Sequence, residues 1–200
     1  MQQVRSFIAI ELPEELKVGL TQLQARLKSG EQPGVKWVDP YGIHLTLKFL
    51  GSIEVDRVGE ITRAIEESAW GIAPFNLEVK GLGVFPSLRR VQVVWVGVGG
   101  EVDKLGQFQQ RLDSNLALLA FAGETRSFMP HLTLARLRNQ VSLRERRRLG
   151  QLVTSARFEA ACAIRVDFID LMRSQLTREG AIYHRINSVG LKRHLSAATT

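Results

Sequence analysis

The sequence predicts an α+β fold in which helices cover antiparallel or mixed sheets. Three observations carry that expectation. Segments of strand-type and helix-type apolar spacing follow one another in the order βα-β-α-β-β-α-β-α-β-β. No clear linker divides them into independent domains. And the tetrapeptide His44-Leu45-Thr46-Leu47 recurs 87 residues later as His131-Leu132-Thr133-Leu134, which suggests two related lobes. Two hundred residues fit one domain built from two similar halves.

Residues 4–12 (VRSFIAIEL) form the first expected strand. The apolar stretch is short and lacks a small-residue cleavage site, so it is not a signal peptide. Pro13-Glu14-Glu15 opens a helix with proline in its first turn and acids at its positive end. That helix carries Leu16, Leu20, Leu23 and Leu27 and stops near Gly30. A turn-rich stretch leads to residues 35–38, and Asp39-Pro40-Tyr41-Gly42 is a turn. Residues 43–50 (IHLTLKFL) are a strand, and 55–70 a helix with Val58, Ile61 and Ile65 on one face. Residues 75–85 are a strand with glycine punctuation. Residues 91–98 (VQVVWVGV) are nearly all apolar, as in a strand covered on both faces. A helix over 101–119 presents Leu105, Phe108, Leu112 and Leu116, and a strand spans 130–137. Ser142 and Glu145 form a capping box for a short basic helix over 142–155. One long or interrupted strand lies within 158–176, and the last strand spans 181–189. The expected organisation is one two-lobed domain over 1–190 and a flexible tail over 191–200.

Composition narrows the classes. Hydrophobic residues are 44% and charged residues 24%, which excludes disorder, collagen and a disulfide scaffold. No run reaches the ~18 apolar residues of a membrane span, so no membrane partner is expected. The single Cys162 cannot close an internal disulfide, and a reducing cytoplasm is the expected location. Lys+Arg number 27 against 20 Asp+Glu, a net +7. Most of the cations are arginine, whose planar fork suits phosphate. Charge alone does not choose between nucleic acid and nucleotides.

The repeated tetrapeptide is the sharper signal. Four histidines and nine threonines in this chain predict about 0.2 His-x-Thr triplets by chance. Two occur, each followed by leucine. Side chains alternate faces along a strand. His44 and Thr46 therefore point one way and Leu45 and Leu47 the other, and the same holds for His131/Thr133 against Leu132/Leu134. If both strands face one cleft, two imidazoles and two hydroxyls converge. Near neutrality one histidine can accept a proton while the other donates one. Two hydroxyls can hold the oxygens of a tetrahedral anion. That set suits phosphodiester cleavage with no cofactor. Each motif offers only one good metal ligand, so no metal site is expected.

At these residues the sequence resembles the 2H phosphoesterase superfamily, defined by two H-x-T/S-x motifs. More narrowly it resembles the RNA 2′,3′-cyclic phosphodiesterase family, historically called 2′-5′ RNA ligase. The likeness runs from about residue 4 to 189. It includes FIAIELPEEL, VKWVDPYGIHLTLKFLG, GLGVFPSLRRVQVVWVGV, ETRSFMPHLTLARL and LMRSQLTREGAIYHRI. Met172 stands where the family often has an aromatic residue. The resemblance implies two pseudo-symmetric lobes around a central cleft and hydrolysis of RNA 2′,3′-cyclic phosphate ends to 2′-phosphate ends. It implies His44 as the acid on the leaving 3′ oxygen, His131 as the base on water, and Thr46 and Thr133 on the phosphate. Other branches with these motifs act on 2′-5′ linked oligonucleotides or small cyclic nucleotides. A nucleotide- or RNA-binding module without useful turnover is the alternative outside enzymes.

The resemblance also places Arg136 at the phosphate, although strict alternation puts it opposite His131, so a bulge or strand end is required. Lys48 shares parity with His44 and Thr46 and is a candidate for the phosphate or the rim. Phe7 and Trp37 are candidates to stack a base. Arg126 and Arg138 are candidates for the RNA backbone or for solvated surface, and Arg144, Arg146, Arg147 and Arg148 form a basic helix expected to present a solvated face. His184, His194 and Cys162 are expected to be structural or peripheral. A monomer is expected.

Overall fold

The computed structural model describes residues 2–28, 32, 34–123, 127–160, 162–177 and 180–192. Arg126, His194 and the tail from 193 onward lie outside the described residues. The strands are β1 (Gln3–Ile10), β2 (Val35–Trp37), β3 (Leu45–Glu54), β4 (Phe75–Phe85), β5 (Val93–Gly100), β6 (His131–Leu137), β7 (Ile164–Val166), β8 (Phe168–Leu176) and β9 (Ala181–Gly190). The helices are α1 (Glu14–Leu27), α2 (Val58–Ala69), α3 (Val102–Leu118) and α4 (Leu143–Ser155). The expected 158–176 strand is interrupted, with β7 and β8 in different sheets.

The sheets have the orders β3-β1-β8-β9 and β2-β6-β5-β4-β7, and every pairing of these strands is antiparallel. Setting β3-β1-β8-β9 against β6-β5-β4-β7 exposes the repeat, with β2 added at one edge. Neither lobe is contiguous in sequence. The chain visits the second lobe at β2, returns to the first at β3, crosses again at β4 and comes back at β8. Helices cross as well. α3 packs on β3 and α2 in the first lobe, and α4 packs on β4 in the second. α1 sends Gln24 Nε2 to the carbonyl oxygens of Val38 (2.7 Å) and Leu134 (3.2 Å) in the second lobe.

These exchanges knit one continuous core. Ile8, Leu45, Ile61 and Leu171 of the first lobe, Val94, Leu132 and Ile164 of the second, and Leu105 of α3 belong to a single buried cluster. Each such side chain contributes about 1.5–3 kcal/mol by leaving water. The helices bury the faces their spacing predicts: Leu16, Leu20, Leu23 and Leu27 on α1, and Leu105, Phe108, Leu112 and Leu116 on α3. The Ser142–Glu145 capping box is formed. β5 corrects the expectation that it is covered on both faces. Val94 and Val96 are buried, whereas Val93, Trp95 and Gly97 are only half-buried. In an antiparallel sheet one face can stay open, and here the second face floors a cleft. No helix among the described residues is long and apolar enough to cross a membrane.

Candidate active site

Each motif is set by the turn before it. Asp39 accepts the Tyr41 backbone N–H on its side chain (3.1 Å) and starts the 3-10 turn Pro40–Gly42, where proline supplies a ready φ and needs no N–H partner. The Gly42 carbonyl then accepts Nδ1 of His44 at 2.9 Å. In the second lobe the Met129 carbonyl accepts Nδ1 of His131 at 2.7 Å. Both bonds run back two residues. A carbonyl can only accept, so Nδ1 carries the proton in both rings. Nε2 is left as the nitrogen available for proton transfer.

Register decides which neighbours share the cleft face. In the first lobe Ala9 pairs with Thr46 and Phe7 with Phe49, and a bulge at Leu47 puts Lys48 opposite Ile8. In the second, Gly97 pairs with His131 and Trp95 with Thr133. A bulge at Leu134 puts Ala135 opposite Val94 and Arg136 opposite Val93. The bulge comes at the same place in both motifs. Each inserts one residue and reverses the alternation beyond it. Arg136 thereby returns to the face of His131 and Thr133, exposed, with Lys36 of β2 beside it. The Leu134 carbonyl at the bulge accepts from Val38 N (2.9 Å) and from Gln24, so the bulge leaves no buried acceptor unmet.

Three expectations are corrected by this placement. Lys48 is turned to the core face by its bulge, is 4% exposed, and gives its ammonium to Asp113 and the Ala122 carbonyl. It does not reach the cleft. Trp37 pairs with Ala135 and so lies on the core side. Its indole donates to Gln32 (3.2 Å), and Lys28 sits 5.5 Å over the ring. Phe7 does face the cleft but is 2% exposed, because the His44 ring stacks on it at 4.5 Å and 26°. It supports the imidazole and leaves no surface for a base.

Two cleft residues escaped the sequence reading. Phe49, 60% exposed, presents an open ring on this face beside Phe7 (6.3 Å between centroids). The offset of 87 residues relating the motifs also relates Phe49 to Arg136, and this was the available signal. Tyr183 sits edge-on to His44 (4.8 Å, 81°) and to Phe7 (5.3 Å, 82°). Met172, Ala9 and Phe7 form the small buried cluster under it, so methionine fills the aromatic position without opening the floor. On the other side, Phe85 meets His131 edge-on at 5.1 Å and 85°. The Trp95 ring lies flat over Gly83, where any Cβ would come within 2.1 Å of it.

Burial pushes the His44 pKa down, against the opposing pull of the Gly42 carbonyl and the Glu11 carboxylate. Burial pushes the Tyr183 phenol up, and Arg136 and Arg5 work against that shift. Arg136, from the second lobe, therefore acts electrostatically on the ring that flanks His44 in the first. β3 and β6 approach one another, so both motif strands lie where the two sheets meet. Among the described residues no three His, Cys, Asp or Glu side chains are grouped to hold a metal. His184 is exposed and pairs with Arg173 in β8–β9. Cys162 is half-buried, with burial raising its thiol pKa.

The family model of the LigT-like phosphoesterases matches twice, over residues 10–95 and 96–183, one copy for each HxTx motif. Among curated proteins, the RNA 2′,3′-cyclic phosphodiesterase of Methanothermobacter thermautotrophicus is 34% identical over 181 residues, covering 90% of this chain and 95% of that one. Its Thermotoga maritima counterpart is 31% identical, covering 90% and 91%. Among solved structures, TT0787 of Thermus thermophilus superposes with a TM-score of 0.77 at 25% identity, covering 95% and 99% of the chains. Escherichia coli LigT complexed with 3′-AMP gives 0.76 at 23% identity, covering 96% and 100%, a likeness of fold. With both halves matched and near-full-length relatives above 30% identity, the chain belongs to the LigT-like, two-histidine phosphoesterases.

Proposed function

We propose that this phosphoesterase hydrolyses RNA 2′,3′-cyclic phosphate ends to 2′-phosphomonoester ends by metal-independent acid–base catalysis. The observation that carries the reading is the paired bond from each motif histidine to the carbonyl two residues back. It leaves one Nε2 for catalysis in each lobe. In-line displacement at phosphorus needs that arrangement, with water entering on one side and the ribose oxygen leaving on the other. His131 Nε2 takes a proton from water as the oxygen bonds to phosphorus. The P–O3′ bond breaks, and His44 Nε2–H gives its proton to O3′. Thr46 and Thr133 hold the non-bridging oxygens. Arg136 balances the charge that develops there, and Phe49 stacks the terminal base. Substrate RNA follows from the curated relatives' names.

The burial of His44 favours a second assignment of roles, because it disfavours the imidazolium an acid requires. A substrate with sulfur in place of the 3′ oxygen distinguishes the two, since a thiolate leaves without a proton. His44→Ala regains turnover on that substrate if His44 is the acid, and His131→Ala regains it if the roles are reversed. The function itself is tested by incubating the purified protein with RNA ending in 2′,3′-cyclic phosphate, in EDTA, and identifying the product end. A 2′-phosphate is expected. A 3′-phosphate product, or chelator loss restored by a divalent metal, refutes the reading.

A further inference from the structure

One basic surface is not used by the chemistry above. Arg144, Arg147 and Arg148 stand at i, i+3 and i+4 on α4 and are exposed, so they share a helix face at a cost from like-charge repulsion. The helix's one acid, Glu145, is taken up by Ser142 N (2.9 Å) and Oγ (2.5 Å). Gly150 brings the α4 backbone onto the segment 88–91, where a Cβ would lie 2.8 Å from the Leu88 carbonyl oxygen. That contact sets α4 beside the exposed Arg89 and Arg90. Buried Arg146 clamps the corner through the carbonyls of Val91, Val141 (3.0 Å) and Arg138 (2.8 Å). Five exposed arginines thus gather at one corner, and no acidic side chain among the described residues pairs with any of them.

The corner is continuous with the cleft by two routes. Arg138 follows Arg136 by two residues, with buried Leu137 between them, so it extends the same strand face by about 7 Å. The segment carrying Arg89 and Arg90 leaves directly from Phe85, which packs against His131. A chain of phosphates leading away from a terminal phosphate at His131 would meet this surface next.

Resting on the reading that the cleft takes an RNA end, we propose that the α4 face and the 86–90 segment bind the single-stranded RNA backbone on the 5′ side of that end. Selectivity for RNA over free cyclic nucleotides then comes from this corner, while the cleft does the chemistry. The corner reads charge and not sequence, because arginine contacts to phosphate carry no base information.

The test compares wild type with Arg144→Gln/Arg147→Gln/Arg148→Gln on two substrates, a nucleoside 2′,3′-cyclic monophosphate and a 12-nucleotide RNA with a cyclic phosphate end. The variant is expected to hydrolyse the mononucleotide at the wild-type rate, which also reports that it is folded. Its KM for the oligomer should rise by on the order of tenfold. The slope of log affinity against log salt, read by fluorescence anisotropy with a 2′-phosphate-ended oligomer, should flatten by about 2 for three lost contacts on a single strand. Arg89→Gln/Arg90→Gln should act in the same direction and more weakly. Unchanged oligomer KM and salt slope in both variants overturn the surface while leaving the function intact. If wild type hydrolyses neither substrate, the function fails, and the anisotropy arm still decides the surface by itself.

Discussion

Beside His44 the cleft wall is aromatic: Phe7 under the ring and Tyr183 at its edge. Beside His131 stand Phe85 and Trp95, and the wall leads on to arginines at 136 and 138. The backbone treats the motifs alike, with the same carbonyl bond, the same pairing to a central strand and the same bulge after the second leucine. The side chains that the bulges redirect differ. At matching positions Lys48 and Ala135 turn to the core, and Phe49 and Arg136 turn to the cleft. Duplication supplied a symmetric scaffold that places two equivalent imidazoles. Asymmetry outside the tetrapeptides is what can give them unequal tasks, one lobe offering an apolar surface for a base and the other a cation for phosphate.

The comparison breaks most readily at the histidines. His44→Ala and His131→Ala are each expected to lower turnover of a cyclic-phosphate RNA by at least about 10²-fold. The double variant should lose little more than the worse single one, as for groups acting as a unit. Near-normal turnover in His131→Ala would falsify the two-lobed site and reduce the second motif to a strand.

Next come the matched positions after the bulges. Arg136→Ala removes charge stabilisation at the phosphate, and a loss of about 10²–10³ in kcat is expected. Phe49→Ala removes a base stack of about 1–3 kcal/mol, expected mainly in KM. Equal effects of the two variants on kcat and KM would erase the division of labour. Thr46→Ala and Thr133→Ala should fall below Arg136→Ala, since either hydroxyl backs up the other. Unchanged rates in both would remove the threonines from the site.

A smaller effect sharpens the electrostatic contrast. Turnover should give a bell-shaped pH profile of kcat/KM. Burial lowers the His44 pKa below its ordinary value. Tyr183→Ala admits water to one edge of the ring, so that pKa should rise and one limb of the bell should move to higher pH. Phe85→Leu, beside His131, should leave that limb where it is. A Tyr183→Ala profile superimposable on wild type would show that the packing does not control His44.

The smallest expected effect on activity belongs to Lys48→Met. It separates Lys48 from Asp113 and should cost about 1–3 kcal/mol of stability, seen as a lower urea midpoint, with turnover near wild type. A large loss of turnover at unchanged stability would return Lys48 to the site.

What the sequence determined by itself was everything with a local period. The helix faces follow from leucines spaced three and four apart. The parity of His44 with Thr46, and of His131 with Thr133, follows from strand alternation over three residues, and the repeat announced two lobes. Tertiary structure decided whatever depended on a partner strand. A bulge is a property of a pair of strands, so nothing in HLTLKF or HLTLAR alone says that alternation reverses after the second leucine. That reversal sends Lys48 inward and brings Arg136 out. Phe7 and Trp37 failed as stacking surfaces for the same kind of reason. Being aromatic and near a motif is written in the chain, but exposure is set by what packs above: the His44 ring on Phe7, and the Lys28 and Gln32 side chains around Trp37. Phe49 was legible only once the two halves were laid over each other, because the bulge acts identically in both and the pairing that creates it is non-local.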